Sequence, residues 1–311
     1  MKRFIKILTT ASLAVAFMFG LTGLTPALAA SPAAVNLGTA GNFAILAGTP
    51  NLTSVPTSVI TGDVGLSPAT GAGIIGLTAA EVTGTIYAVD AAGPLGSVNN
   101  PTLLTSAKND LTAAYIDVMG RTPTITVPTE LGGTTKTPGV YVSGATTFGI
   151  TAGMGPLVID AQGDPNAIFI FEANFDGTGL TVGPGSTVSL VNGASACNVY
   201  WRVISASIDT TAVFKGNILA LTSITANNGA NIEGRLLARN GNVTLIADTI
   251  TRPICLASTT TTATTASSDT TGLPNTGAGP EKSSVPWNIV ILAGIIVLPI
   301  VFYLTRRKQT N

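Results

Sequence analysis

Acidic side chains are the groups of this sequence best suited to general acid–base chemistry, because its 311 residues include no histidine. The densest group is Asp160, Asp164, Glu172 and Asp176, which a polysaccharide-cleaving enzyme built on coiled strands could use. Glycoside hydrolysis needs two carboxyl groups held at a set separation. Asp160 is typical of a strand end and Asp164 of a turn, and no base recurs beside them. The pattern therefore disfavours an enzyme.

Neither a metal nor a cofactor is expected from the other reactive groups. Cys197 and Cys255 are far apart in the sequence and have no histidine to join them as zinc ligands. The glycine-rich stretch GTAGNFAILAG lacks the lysine and the strand–helix context of a phosphate-binding loop. Residues 30–276 carry 8 Lys and Arg against 14 Asp and Glu, and this net charge of −6 disfavours nucleic acid as a partner.

The N-terminus predicts secretion. Residues 1–29 combine a basic start, an apolar run and the motif Ala27-Leu28-Ala29, which together indicate a signal peptide. An uncleaved membrane anchor is the alternative. At the other end of the folded body, residues 256–272 are almost wholly small and polar, which predicts a flexible linker.

Three further segments follow the linker in a fixed order. Residues 273–277 read LPNTG, residues 287–304 are apolar and approach the length of a membrane span, and residues 305–311 are basic. This order resembles the cell-wall sorting signal of Gram-positive surface proteins. The resemblance implies that a sortase cuts between Thr276 and Gly277 and joins Thr276 to peptidoglycan. The alternative is a plain membrane anchor through the C-terminal segment, and either arrangement places the folded body outside the cell.

Within the folded body, residues 30–255, the segment 198–250 repeats its apolar pattern about every 18 residues, and two earlier passes look like the same unit with wider loops. Shifting residues 214–239 by 18 places Lys215-Gly216-Asn217 on Glu233-Gly234-Arg235. Each repeat consists of short β-rich runs broken by Gly, Asn or Asp. This pattern predicts a mainly β protein, a β-solenoid of triangular cross-section whose coils stack about 4.8 Å apart.

The first face of each coil needs a cover, because runs such as Ile168-Phe169-Ile170-Phe171 are apolar on both sides. Residues 100–120 supply that cover. Helical spacing relates Leu104, Ala107, Leu111, Ala114, Tyr115 and Val118. We therefore predict one long α-helix over about residues 101–119, packed along this face.

A set of motifs, in their order, resembles the microbial ice-binding (antifreeze) proteins. The motifs include NLGTAGNFAILAGT, ITGDVGLSP, DLTAAYIDVMGR, ACNVYWRV, GNILALTSIT and GRLLARNGNVTL, and they span about residues 35–255. The resemblance implies a right-handed, discontinuous β-solenoid with a flanking helix, and an ice crystal surface as the partner. It also implies that residues 35 to about 75 add strands to the same solenoid and that residues 76–100 cap one end.

In the resembled family an exposed solenoid face binds ice, often with Thr-Gly/Ala-x-Thr/Asn at a corner between strands. The matching corners and the third face give the first candidate set: Thr151, Ser186, Thr187, Ser189, Thr210, Thr211, Asn228, Asn231 and Thr249. Two charges on that face, Lys215 and Glu233, are expected to pair across neighbouring coils. Their hydration would disturb ordered water, so the second face is the alternative set: Thr147, Ser205, Ser207, Ser223, Thr225 and Thr244.

The extracellular setting favours a disulfide between Cys197 and Cys255. The solenoid geometry opposes it, since the two residues lie three coils apart, about 14 Å along the axis. A disulfide needs Cα atoms within about 7 Å. The bond can therefore form only if the tail TRPIC, residues 251–255, doubles back along the stack.

Two classes of function fit this sequence better than an enzyme. The first is a surface-attached ice-binding protein, an ice adhesin or recrystallisation inhibitor, because threonine hydroxyl and methyl groups in a regular array can order water. The second is a non-catalytic adhesin that binds glycans or other cells, which suits the sorting signal equally well.

Overall fold

The computed structural model describes residues 31–55, 57–173 and 179–255. The predicted signal peptide, linker, LPNTG motif with Thr276 and Gly277, apolar segment and basic tail lie outside these ranges, as does Asp176. Within the described ranges no helix is both long enough and apolar enough to cross a membrane.

The described residues form 23 strands and one α-helix, α1, over Pro101–Met119. The strands before the helix are β1 (Phe43–Ala47), β2 (Leu52–Ser54), β3 (Val59–Thr61), β4 (Asp63–Leu66), β5 (Ile74–Ile75), β6 (Val82–Thr83), β7 (Ile86–Ala88) and β8 (Val98–Asn99). Those after it are β9 (Ile125–Val127), β10 (Thr135–Lys136), β11 (Gly139–Ser143), β12 (Thr147–Ile150), β13 (Leu157–Asp160), β14 (Phe169–Glu172), β15 (Gly179–Val182), β16 (Val188–Val191), β17 (Val199–Val203), β18 (Ser205–Ile208), β19 (Val213–Ala220), β20 (Ile224–Ala226), β21 (Asn231–Ala238), β22 (Val243–Leu245) and β23 (Thr249–Thr251).

The helix predicted from the apolar spacing is confirmed over the same residues. Asn100 caps its N-terminus, because the Asn100 side-chain oxygen accepts a hydrogen bond from the Leu103 amide (3.0 Å). Pro101 occupies the first turn, where its missing N–H has no cost. All six predicted apolar residues are buried. They pack on outward side chains of the largest sheet, among them Leu46, Leu219 and Leu237.

All strand pairs are parallel, and they form three sheets. The first sheet has the order β8-β7-β4-β1-β21-β19-β17-β14-β11-β9, with β23, β3 and β6 joined through β21. The second sheet has the order β12-β15-β18-β20-β22-β2-β5, and the third is β10-β13-β16. The fold is thus mainly β with one helix that covers the first sheet.

The predicted 18-residue shift is the register between β19 and β21. Phe214 lies opposite Ile232, Lys215 opposite Glu233, and Gly216 opposite Gly234. Both strands are eight residues long. Their N-terminal halves pair onward through β23, β3 and β6, and we call the outer surface of this part of the first sheet the third face.

The N-terminal strands stack on the last coil of the chain. β1 pairs with β21, β2 with β22 and β3 with β23. Residues 35 to about 75 therefore add strands to the same sheets, as the family resemblance implies. Residues 76–100 contribute β6, β7 and β8, and β8 ends the first sheet. The opposite end of that sheet is β9, which follows α1 in the chain.

The space between the sheets is filled by stacked aromatic rings. Phe171 stacks on Trp201 with ring centroids 4.0 Å apart, and Tyr141 stacks on Phe171 at 5.1 Å. Phe148 meets both Phe171 and Trp201 edge-on. Such contacts add about 1 kcal/mol each beyond burial. Because these rings come from neighbouring coils, they hold the coils in register from the inside.

A buried ion pair lies beneath the helix. Arg202 Nη1 donates to Glu172 Oε1 at 2.8 Å, and the Arg202 guanidinium lies 4.8 Å from the centre of the Tyr115 ring. Burial raises the pKa of Glu172, while the Arg202 charge acts to lower it. The side chain of Glu172 thus belongs to the packing between helix and sheet.

Cys197 and Cys255 form a disulfide, with their Cα atoms 5.6 Å apart. The objection from coil spacing fails because the tail after β23 returns along the first sheet. On this path it passes Arg235 of β21, whose Nη2 lies 3.5 Å from Cys255 Sγ. The bond closes a loop with a sequence separation of 58 residues.

A buried carboxylate joins neighbouring coils at one corner. Asp248 is 1% exposed, and its two oxygens accept hydrogen bonds from the amides of Ala230 (3.0 Å) and Ile246 (2.8 Å). Its own amide donates to Ser58 Oγ at 3.1 Å. Burial raises the pKa of Asp248 to about 6, although the two amide hydrogen bonds act to lower it.

Asp248 should make the folded domain less stable as the pH rises from about 4 to about 6. Its ordinary pKa is 3.8, so the unfolded carboxyl loses its proton first while the folded one retains it up to about pH 6. The free energy of unfolding should fall by about 3 kcal/mol across this window. Urea titrations at several pH values would show the slope, and Asp248→Asn should remove it. An unchanged slope in that variant would assign it to other groups.

Candidate functional site

Five small hydroxyl side chains form a row across the second sheet. They lie opposite one another on β15, β18, β20, β22 and β2, in the order Thr181, Ser207, Thr225, Thr244 and Thr53. On each strand the residues before and after the row member are buried, so the row points outward. We call these five residues the hydroxyl row.

Backbone pairing gives the hydroxyl row its regular spacing. Neighbouring strands lie about 4.8 Å apart, and alternate residues of one strand about 7 Å apart. A second line of small residues runs beside the row, with Thr147, Gly179 and Ser205 in register. Ser223 continues this line, because its carbonyl accepts the hydrogen bond of the Ala206 amide (3.1 Å). The outer surface of the second sheet is therefore a grid of short side chains.

Three hydroxyls of the hydroxyl row are available to water. Asn242 Nδ2 donates to the Thr244 hydroxyl oxygen at 3.0 Å, which leaves the Thr244 hydroxyl free to donate. Within the described ranges, no protein group forms a hydrogen bond with the hydroxyls of Ser207 and Thr225. Each of these side chains offers a donor and an acceptor to a surface water layer.

Charged groups of the described chain lie at the margins of this surface and not within the row. Asp209 follows β18, and its carboxylate accepts hydrogen bonds from the Thr210 amide (2.8 Å) and Asn227 Nδ2 (3.4 Å). Glu130 lies beside Gly149 of the edge strand β12. Burial acts to raise the pKa of Glu130, but hydrogen bonds from Thr151 and from backbone amides lower it overall. Both carboxylates are thus held by protein donors.

The corners that follow the second-sheet strands share a left-handed backbone. The residues concerned are Gly153, Gly185, Thr211, Gly229 and Ala247, with φ between 52° and 80°. Glycine adopts this conformation readily, whereas a β-branched residue resists it. Thr211 is nevertheless exposed there, with its hydroxyl donating to the Thr210 carbonyl at 2.7 Å. Of the other predicted corner residues, Asn228 is exposed and Thr210 half-buried.

Thr211→Gly should raise the free energy of unfolding by roughly 1 kcal/mol. The left-handed conformation costs an L-residue about 1–2 kcal/mol, and the greater freedom of glycine in the unfolded chain offsets part of the gain. Chemical denaturation of the parent and the variant would measure the difference. Gly229→Ala is the matched reverse change at the next corner and should be destabilising. A less stable Thr211→Gly domain would show that the hydroxyl bond outweighs the backbone strain.

Ser186 does not belong to an exposed array, which corrects the first candidate set. Ser186 is 6% exposed, and its hydroxyl donates to the Ile150 carbonyl at 2.9 Å. Its neighbours in that set, Thr151, Thr187 and Ser189, line a shallow cavity of about 440 Å³ with glycine and proline residues of the same corner. Thr151 is held there by the Glu130 carboxylate.

The third face carries the remaining predicted residues. Asn231 and Thr249 lie opposite each other on β21 and β23, and both are exposed. Beside them, Lys215 Nζ and Glu233 Oε2 are 2.5 Å apart, so the predicted ion pair is confirmed. An exposed pair is worth only about 0–1 kcal/mol, but it places two strongly hydrated groups on this face.

The sequence analysis missed a line of threonines on the third face. Thr251, Thr61 and Thr83 lie opposite one another on β23, β3 and β6, in register with Glu233. The exposed side chain of Val59 lies next to Thr61 on the same strand. This line is shorter than the hydroxyl row, and the Lys215–Glu233 pair bounds it.

The acidic side chains considered for catalysis are dispersed. Asp160 accepts hydrogen bonds from the Gln162 amide and Asn192 Nδ2, both at 2.8 Å, and Asp164 accepts from the Asn166 amide at 2.9 Å. Both carboxylates thus stabilise turns. In the part of the chain that the structure describes, no three His, Cys, Asp or Glu residues converge to hold a metal.

The chain matches the model of the family described as Ice-binding-like over residues 45–251. The ice-binding protein of Flavobacterium frigoris is 40% identical over 223 residues, which are 70% of this chain and 76% of the relative. The ice-binding protein of a Colwellia species is 39% identical over 238 residues, 73% of this chain and 87% of the relative.

Solved structures agree with the sequence comparison. An ice-binding protein from an Antarctic biological consortium has a TM-score of 0.62 at 37% identity, over 75% of this chain and 97% of that one. A domain of ice-binding protein 1 from Shewanella frigidimarina has a TM-score of 0.65 at 33% identity. That match covers 73% of this chain and 100% of that one, so this domain forms a complete folded unit in the relative.

Proposed function

Because this chain belongs to the Ice-binding-like family, we propose that it binds ice through the outer surface of its second sheet. The observation that carries the choice of surface is the hydroxyl row. Five hydroxyl side chains lie on five consecutive strands at the spacing of the sheet, with no charged group between them.

The physical reason lies in the water that such a surface holds. Threonine presents a hydroxyl, which donates and accepts hydrogen bonds, beside a methyl group that restricts neighbouring water. A rigid strand array repeats this unit at fixed intervals, so first-layer waters occupy regular positions before contact with ice. Ice then joins an already ordered layer.

We further propose that the coils form a right-handed, discontinuous β-solenoid of triangular cross-section. Three parallel sheets and the stacking of β1 on β21 support this description. The shape matters for function because it makes each face nearly flat and keeps the second sheet away from the helix.

The first candidate set is a weaker ice surface. Ser186 is buried, and Asn231 and Thr249 lie beside the Lys215–Glu233 pair. The alternative of a glycan-binding adhesin also has less support. Sugar rings commonly stack on exposed aromatic rings, whereas the exposed large apolar side chains of the described residues are all aliphatic or Met.

We propose that the domain acts at the cell surface as an ice adhesin. The support is the order of sequence signals: residues 1–29 for export and residues 273–311 for attachment through sortase to peptidoglycan. Digestion of the cell wall with a muramidase should release the protein. Release only by detergent would instead indicate the membrane anchor at residues 287–304.

The test of ice binding is ice recrystallisation inhibition, with thermal hysteresis, on purified residues 31–255. The solved structures of relatives, whose chains are matched over 97% and 100% of their length, support the choice of this part for the assay. Small ice grains that persist on annealing would support the proposal. Grain growth equal to that in buffer, from a domain shown to be folded, would refute it.

A further inference from the structure

We propose that the disulfide between Cys197 and Cys255 transfers tension from the C-terminal tether into the buried centre of the first sheet. The strands that carry most of the hydroxyl row are thereby protected from being detached one by one. This inference rests on the proposed attachment of the domain to the cell surface, where ice held by the domain would load the tether.

The tether joins the domain next to a short strand, β23. The described chain ends at Cys255, which is exposed and follows β23 by four residues. β23 has only three residues, and both Thr249 and Thr251 are exposed. Tension along the backbone alone would detach β23 first and then β22, which carries Thr244 of the hydroxyl row.

The disulfide offers a second path to a stronger element. Cys197 lies two residues before β17, all five residues of which are buried. β17 pairs with β14 on one side and with β19 on the other. Tension that arrives at Cys197 therefore meets a five-residue strand covered on both faces, whereas β23 has three residues and one exposed face.

Side chains around Cys197 spread this tension over neighbouring coils. The side-chain nitrogen Nδ2 of Asn217, on β19, donates to the carbonyls of Ala196 (3.0 Å), Cys197 (3.2 Å) and Val199 (3.0 Å). Arg235, on β21, donates to Asn217 Oδ1 at 2.7 Å and to the Gly41 carbonyl at 2.9 Å. One network thus ties the Cys197 backbone to β19, to β21 and to the segment before β1.

Three strands of the hydroxyl row lie inside the loop that the disulfide closes. β18, β20 and β22 carry Ser207, Thr225 and Thr244, all between Cys197 and Cys255. Without the bond, these strands are among the last six before the tether. With the bond, a direct covalent path from tether to β17 bypasses them.

Single-molecule pulling on residues 31–255, with handles before residue 31 and after residue 255, tests the proposal. The oxidised domain should show no early low-force event and should release about 200 Å less chain than the Cys197→Ser/Cys255→Ser variant, because the 58-residue loop stays closed. The variant should first release its C-terminal strands at low force. Asn217→Ala, which keeps the disulfide, should lower the force of the first unfolding event without adding the early low-force event of the double variant.

The proposal would be overturned if the first unfolding event required the same force in the oxidised domain and in the double variant. In that case β17 would resist tension no better than β23. The same holds if Asn217→Ala leaves the first force unchanged, in which case the network does not share the load. No ice is present in this measurement. A domain that does not bind ice can still give the expected unfolding forces, so failure of the proposed function would be recognised separately.

Discussion

Replacing Thr225 by tyrosine is expected to abolish most of the ice recrystallisation inhibition of the domain. Thr225 is the central member of the hydroxyl row, with Ser207 and Thr181 on one side and Thr244 and Thr53 on the other. A ring at this point stands above its neighbours and holds ice away from the rest of the row. A loss of only 1.4 kcal/mol in the free energy of adsorption lowers the equilibrium constant for adsorption tenfold. We therefore expect activity to fall by about tenfold or more.

Matched variants identify the surface in use. Thr251→Tyr places the same ring on the third face, and Thr211→Tyr places it on the corner; we expect both to retain activity. All three positions point outward, so the free energy of unfolding of each variant should lie within about 0.5 kcal/mol of the value for the parent, apart from any change in strain at Thr211. Loss of activity in Thr251→Tyr with full activity in Thr225→Tyr would move the site to the third face and refute the assignment.

Removing the disulfide is expected to cost about 4 kcal/mol of stability. The closed loop has a sequence separation of 58 residues, and the chain-entropy relation for a loop of this length gives a value near 4 kcal/mol. Urea unfolding of Cys197→Ser/Cys255→Ser against the oxidised parent would measure the loss. Near 0 °C the folded variant should still bind ice, because neither cysteine lies in the hydroxyl row.

A reductant provides the control for this change. It should destabilise the parent to the level of the double variant and leave the variant itself unaffected. A loss below about 1 kcal/mol would mean that the contacts of Arg235 and Asn217 hold the region without the bond, since native disulfides commonly contribute 2–5 kcal/mol.

Local periodicity predicted the parts of the fold that repeat within one segment. The 18-residue shift is the register of β19 on β21, and the spacing of apolar residues gave the buried face of α1. Both features depend on residues that are close in the sequence: three or four apart in the helix and 18 apart between β19 and β21. Four of the five hydroxyl-row strands follow α1, and Ser207, Thr225 and Thr244 were recognised from alternation alone.

Contacts between distant segments could not be predicted in the same way. Thr53 joins the hydroxyl row because β2 pairs with β22, across roughly 190 residues of chain, and no local pattern records this pairing. Ser186 was misassigned because alternation ends at a corner, where the backbone turns its side chain towards the Ile150 carbonyl. The return path that permits the disulfide is likewise set by tertiary packing.

The stacking of the first coil on the last one governs when this protein can fold. β1 emerges early in synthesis, yet its partner β21 is about 190 residues downstream. A simple repeat protein can add one unit after another as its chain appears. Here β1 keeps the edge that pairs with β21 unpaired until the final coil has been made. A chain arrested before residue 231 would keep that edge exposed and prone to aggregation. Synthesis of the last coil, residues 231–251, is therefore the step that allows the domain to close.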